Sequence, residues 1–180
     1  MALKATIYKA ELQIADMDRN YYQEHILTLA RHPSETDERM MIRLLAFAIH
    51  ASESLSFTKG LFDTEEPDLW QKDLTGAIQL WIEVGQPDEK RLMKACGRSE
   101  RVVVYSYSAT SHIWSKQIAN KLERAKHLTV INIPAEASAQ LAALASRNMQ
   151  LQCTIQDGQI YLTDSVATVL IEREDFKAER

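Results

Sequence analysis

Two acids carry the chemistry this chain can offer: Asp68, in the stretch EPDLW, and Glu83, near the end of IQLWIEV. Carboxylates on neighbouring strand ends can hold a hard divalent cation such as Mg2+, which takes oxygen ligands and usually only one or two carboxylates from a protein. Such an ion activates water and neutralises the charge that builds on phosphate, the chemistry of phosphodiester hydrolysis. A cationic or amide side chain beside the water would complete the set. A lysine two residues after Glu83 would project on the same face of the strand, but Gly85 stands there. Gln86 points to the opposite face of a regular strand, and a turn at Gly85 would redirect it. Each acid also has a plainer role. A charge after an apolar run marks a strand emerging into solvent, and Asp is a usual turn residue.

Basic residues follow at once. Lys90, Arg91 and Lys94 lie on a segment that reads as helix, where Lys90 and Lys94 are one turn apart and Arg91 neighbours Lys94. They form either a solvated face paired with Asp88 and Glu89 or a source of positive charge for the acids. Glu38 falls in the first turn of an earlier predicted helix. An acid is favoured there by the helix dipole, and a water-mediated contact to a metal is the alternative. Arg39 and Arg43, one turn apart on that helix, are either phosphate contacts or ordinary surface charges. Other chemistries lack their residues. The five glycines form no GxGxxG and no phosphate loop, the five histidines have no ligand spacing, and Cys96 and Cys153 form no CxxC pair.

These side chains need elements to hold them. Residues 4–15 alternate as a strand, and residues 19–31 read as a helix with Asp18 as its N-cap. Met41, Leu44, Leu45, Ala48 and Ile49 give the buried stripe of a second helix. LSFTKGLF reads as a strand with a turn point at Gly60, followed by EPDLW and IQLWIEV as two more. A helix starts at Pro87 and stops near Gly97. RVVVYSY and HLTVINIP are strands separated by a helix that Ser108 or Thr110 caps, and the strand–helix–strand order implies a right-handed parallel crossover. A further helix follows, AEASAQLAALAS. Asp157-Gly158 then sits between alternating runs, a strong hairpin signal. SVATVLIERE adds a third strand, and Phe176 to Arg180 are expected to fray. The expected architecture is α/β: a mixed central sheet flanked by helices, with a C-terminal β-hairpin, in one domain spanning residues 1–180.

Composition sets outer bounds. With 180 residues and 46% apolar content, the chain can build a core without disulfides. The formal net charge of −4 argues against a surface that coats nucleic acid generally, while leaving room for a local basic groove. The longest apolar run, Leu44 to Ile49, is far shorter than the ~20 residues that cross a bilayer. The N-terminal stretch alternates polar and apolar residues, unlike a signal peptide. A cytoplasmic, soluble protein without a membrane partner is expected.

A glutamate-bearing helix, then a strand with PD, then a strand with ExK, then a helix, is the core order of the PD-(D/E)XK nuclease superfamily. Glu38, Pro67-Asp68 and Glu83-Val84-Gly85 follow that order here. Over nearly its whole length the chain resembles the YaeQ family of bacterial proteins, through MALKATIYKAELQIADMDR, EPDLW, WIEVGQPDEKRLMKAC and LQCTIQDGQIYL. The resemblance implies a restriction-endonuclease-like core. It also implies Mg2+ or Mn2+ as cofactor on Asp68 and Glu83, with Glu38 assisting. The lysine of ExK is missing, and some superfamily members supply the basic group from the next helix. Lys94 is then the first choice and Lys90 the second, with Gln86 as an amide substitute and Arg91, Arg39 and Arg43 as substrate contacts. The implied activity is a metal-dependent nuclease or phosphodiesterase. The alternative is a catalytically inactive module that binds nucleic acid or a protein partner in a role linked to transcription.

Overall fold

Strict alternation makes the first element a strand. Tyr8, Ala10, Leu12 and Ile14 are buried, while Lys9, Glu11 and Gln13 face outward. The computed structural model describes residues 4–178. It begins with β1 (Thr6–Asp16), β2 (Tyr21–Arg31), α1 (Asp37–His50) and β3 (Leu55–Phe57). After a 3-10 turn (Gly60–Phe62) come β4 (Leu69–Lys72), β5 (Ile78–Val84), α2 (Glu89–Arg98) and β6 (Val102–Tyr107). The chain continues through α3 (Ser111–Leu122), β7 (Leu128–Ile133), α4 (Ala135–Ala143), β8 (Asn148–Gln156), β9 (Gln159–Thr163), β10 (Thr168–Ile171) and β11 (Glu174–Lys177). The fold is mixed α/β. Among the described residues there are two mixed sheets, in place of the one central sheet expected.

The strands fall into two compact units, Met1–Ile49 with Glu136–Arg173 and His50–Ala135 with Glu174–Arg180. The first unit carries the sheet ordered β10-β9-β8-β1-β2. Its edge corrects the helix expected over residues 19–31. That segment is β2, paired antiparallel with β1 along all eleven residues. Ile26 and Ala30 fit a helical stripe on paper, but both face solvent. The buried set is Leu27 and Leu29, at the spacing of a strand. Long-range pairing outweighs a local pattern that serves either period, and Tyr, Ile and Thr suit the pleated surface. Asp18 caps no helix. Its carboxylate accepts the N–H groups of Asp157 and Gly158 at 2.8 and 2.9 Å, which ties the β1–β2 turn to the β8–β9 hairpin and lowers its pKa. That hairpin is the one expected at Asp157-Gly158. Met40 through Ile49 of α1 are buried all round the helix, and the His25 ring meets Phe47 edge-on.

The second unit carries the sheet ordered β11-β7-β6-β5-β4-β3. β5, β6 and β7 run parallel, with α2 and α3 as their crossovers. Trp81, Val102, Val104 and Val130 from the sheet pack with Leu92 and Ala95 of α2 and with Trp114, Ile118 and Leu122 of α3. The strand expected over LSFTKGLF stops at Phe57, because Gly60 adopts φ +51 and opens the 3-10 turn. Phe176 and Lys177 belong to β11 on β7 rather than to a frayed tail. The Lys177 ammonium donates to the carbonyls of Ala125 and Leu128 at 2.6 and 2.9 Å. Residues 179 and 180 lie outside the described residues. No helix among the described residues is long and apolar enough to cross a membrane.

Candidate functional site

β4 and β5 set the geometry. Leu69 pairs with Ile82 and Trp70 with Trp81. Asp68 comes immediately before β4, and its charge is felt at Glu83 on β5. The Asp68 N–H donates to the Ile82 carbonyl at 3.0 Å, one residue out of the register in which Leu69 pairs with Ile82. Both carboxylates are buried, at 2% and 4% exposure. Asp68 Oδ2 accepts the Val84 N–H at 2.8 Å. On the other side of Asp68, a Cβ placed on Gly60 would stand 3.4 Å from Oδ1, so the backbone at Gly60 approaches that oxygen closely.

Glu83 Oε1 accepts two donors. One is the indole N–H of Trp81 at 2.8 Å, two residues back on the same face of β5. The other is Arg91 Nε at 2.9 Å. Arg91 comes from the first turn of α2, where Asp88 caps the helix by accepting the Arg91 N–H at 2.8 Å. Its remaining nitrogens reach into the segment before Asp68. Nη1 donates to the Thr64 carbonyl at 2.7 Å and Nη2 to the Glu66 carbonyl at 3.0 Å. The Glu83 carboxyl has a raised pKa. Burial is the main cause and the charge of Asp68 adds to it, while the bonds from Arg91 and Trp81 oppose the rise. A second acid close enough to shift the first is the electrostatic signature of a paired-carboxylate site.

The other sequence candidates lie elsewhere. Gly85 leaves β5 at φ +117, which strains any side chain, so the backbone itself disfavours a lysine there. The Gln86 amide donates to Thr110 Oγ1 at 2.9 Å and Ser108 Oγ at 3.2 Å, in the turn between β6 and α3. Lys94 pairs with Glu65 at 2.8 Å on the surface, and Lys90 is exposed on α2. Thus the cation that meets Glu83 is Arg91, neither of the two lysines. Glu38 belongs to the first compact unit, half-buried in the first turn of α1. Arg39 and Arg43 converge in that unit on buried Glu35. Arg39 Nη1 lies 2.6 Å from Oε2, and Arg43 approaches both oxygens at 2.7 and 2.9 Å. Sequence reasoning gave Glu35 no role, although it lies four residues before Arg39, at helical spacing. Trp81 as a donor to Glu83 was signalled by strand parity alone.

Residues 1–173 match the family model described as YaeQ protein. This chain belongs to the YaeQ family. It is 49% identical over 165 residues to the uncharacterised protein YaeQ of Escherichia coli (strain K12), covering 91% of both chains. The YaeQ protein of Xanthomonas axonopodis pv. citri has a crystal structure that superposes with a TM-score of 0.94 at 47% identity, covering 97% of this chain and 99% of that one. The YaeQ protein of Pseudomonas syringae gives 0.93 at 35% identity, covering 97% of each. The two-sheet α/β architecture described above is therefore close to that of solved YaeQ proteins.

Proposed function

We propose that the Asp68–Glu83 pair is a divalent-cation site and that the chain is a metal-dependent phosphodiesterase acting on nucleic acid. The observation that carries this reading is the pair itself. Two buried acids lie close enough that the charge of Asp68 adds to burial in raising the Glu83 pKa, and a guanidinium stands beside Glu83. A hard cation that keeps most of its waters suits two such ligands. Mg2+ and Mn2+ fit such a pair better than a cation that requires a full protein cage. Asp68 and Glu83 would hold the ion, and the ion would supply an activated water and charge neutralisation at phosphate. Arg91 supplies the positive charge that Gly85 cannot, and its planar fork suits phosphate oxygens. Trp81 orients the Glu83 carboxylate from within the strand.

Calorimetric titration with Mn2+ tests the metal. Wild type should bind with stoichiometry near one and Asp68→Asn much more weakly. Equal and negligible heats in both would end the claim. Cleavage assays on single- and double-stranded DNA and RNA, with Glu83→Gln as control, then test turnover.

A second reading draws on one specific contact. Arg91 already neutralises Glu83, as in a fold kept for binding after its chemistry is lost. In that case nucleic acid binds without cleavage, and log affinity falls with log salt in proportion to the phosphates neutralised. A flat salt dependence points instead to a protein partner.

A further inference from the structure

Asp68 and Glu83 are sealed from solvent, and a site closed in this way must open to meet a phosphodiester. The segment 58–66 borders both acids, with Gly60 against Asp68 and the carbonyls of Thr64 and Glu66 on the arginine that holds Glu83. We propose that this segment is a lid latched by α2, and that its backbone carbonyls occupy the places that phosphate oxygens take on Arg91 when the lid lifts. The ligand in this inference rests on the function proposed above, whereas the latch itself does not.

Thr58 anchors the base of the lid to Pro67 and Asp68, and residues 64–66 are held by polar contacts from one helix. Arg91 grips the carbonyls of Thr64 and Glu66 while its Nε stays on Glu83. Lys94 pairs with the Glu65 carboxylate at 2.8 Å, and Arg98 Nη1 donates to the Glu65 carbonyl at 2.9 Å. Three residues at helical spacing, 91, 94 and 98, thus bind three consecutive lid residues, 64 to 66. Little apolar burial reinforces them. Leu61 and Phe62, the large apolar side chains of the lid, are 43% and 39% exposed. A segment held by surface ion pairs and exposed hydrogen bonds opens far more readily than the sheet beneath it.

The fork on Arg91 gives the lid its second meaning. Nη1 and Nη2 each hold one oxygen, those of Thr64 and Glu66. Bidentate donation to two oxygens is also the way a guanidinium binds a phosphate. Lifting the lid frees both donors beside the acid pair, and the two non-bridging oxygens of a phosphodiester would replace the two carbonyls. Lid and substrate then compete for one side chain.

Trypsin reads the latch, because Lys59 lies within the lid. The rate of cleavage after Lys59 is followed by mass spectrometry in EDTA, and binding of an eight-residue oligothymidylate is followed by anisotropy in the same buffer. Glu65→Ala, at an exposed position, should raise cleavage about threefold by removing the surface ion pairs with Lys94 and Arg98 and should tighten oligonucleotide binding by a similar factor. Arg91→Met should raise cleavage about tenfold or more, because it removes a charged group with several hydrogen bonds, and should weaken oligonucleotide binding. Unchanged cleavage in both variants would overturn the latch. Faster cleavage with no tighter binding in Glu65→Ala, or no binding by any variant, would overturn the exchange of carbonyl for phosphate. Should Arg91→Met melt early, Glu65→Ala alone still decides the latch. A failed Mn2+ titration sinks the metal reading and leaves the lid result standing.

Discussion

Each compact unit buries one glutamate against arginine, and the two pairs are built to opposite balances. Glu35 receives two guanidinium groups, with Arg43 on both oxygens and Arg39 on one. Glu83 receives one guanidinium and faces a second carboxylate, Asp68. The first arrangement satisfies a buried charge with surplus positive partners and links the loop before α1 to the helix itself. The second sets another carboxylate beside Glu83, whose pKa burial raises and the charge of Asp68 raises further. A buried acid with a raised pKa costs stability when it ionises, and folding alone gives no reason to set it beside a second carboxylate. On that ground the first cluster is assigned to structure and the second is proposed as a site.

The largest expected effect comes from the structural cluster. Glu35→Ala leaves Arg43, which is 5% exposed, without its main carboxylate. Breaking one side of a buried pair typically costs about 3–5 kcal/mol, and urea unfolding should show a loss of that size. Glu83→Gln should cost far less, because it also removes the repulsion from Asp68. Equal losses in the two variants would break the distinction between a structural cluster and a site.

Much of this contrast could be read before the fold was known, and some could not. The placement of Asp68 and Glu83 beside neighbouring strands was legible because β5 carries its apolar period openly, through Ile78, Leu80, Ile82 and Val84. The parallel β5-α2-β6-α3-β7 unit was legible for the same reason, through the β-branched run Val102–Val104 and the helical spacing between strands. Glu35 was not, because its partners lie four and eight residues on, and a helix surface reads alike whether it ends in water or on a buried acid. β2 was misread because Ile26 and Ala30 sit at helical spacing, while the ladder to β1 that decides the matter is invisible to a local window. The lid was hidden because backbone carbonyls leave no trace in sequence. Arg91 could be singled out, but the carbonyls of Thr64 and Glu66 that it holds could not.

The next effect is one of pH. The Glu83 carboxyl titrates above its ordinary range in the folded chain, so the native state holds that proton more tightly than the unfolded state. Between the ordinary glutamate value and the raised one, increasing pH therefore removes stability through this group. Glu83→Gln lacks that component. The stability of wild type relative to Glu83→Gln should fall as pH rises through the window and level off above it. A difference that stays constant across the window would mean that the folded chain does not raise the Glu83 pKa.

Asp68→Asn sharpens the same point with a smaller change. The substituted amide oxygen can still accept the Val84 N–H, so β5 keeps its bond, while the charge that lifts Glu83 disappears. The Glu83 pKa should move down toward the ordinary glutamate range without reaching it, because burial, the larger cause, remains. Trp81 reports this directly, since its indole donates to the titrating carboxylate and its emission should follow Glu83 ionisation. No movement of that titration would mean that Asp68 and Glu83 do not sense one another, and the paired-acid site would go with it.

The smallest expected effect on global stability belongs to the lid. Glu65 and Lys94 are both exposed, at 63% and 56% for their side chains, and exposed pairs of long side chains contribute little to folding. Lys94→Ala should leave the melting temperature of the chain unchanged within error. The same substitution should still speed tryptic cleavage after Lys59, because the pair holds a segment and not the core. That separation places the lid at the low-stability end of the second unit, where elements that open for ligands belong. A melting temperature that drops along with lid protection would make residues 58–66 part of the cooperative core. The acids would then be buried by structure that cannot lift without unfolding, and the site would lose its route to any substrate.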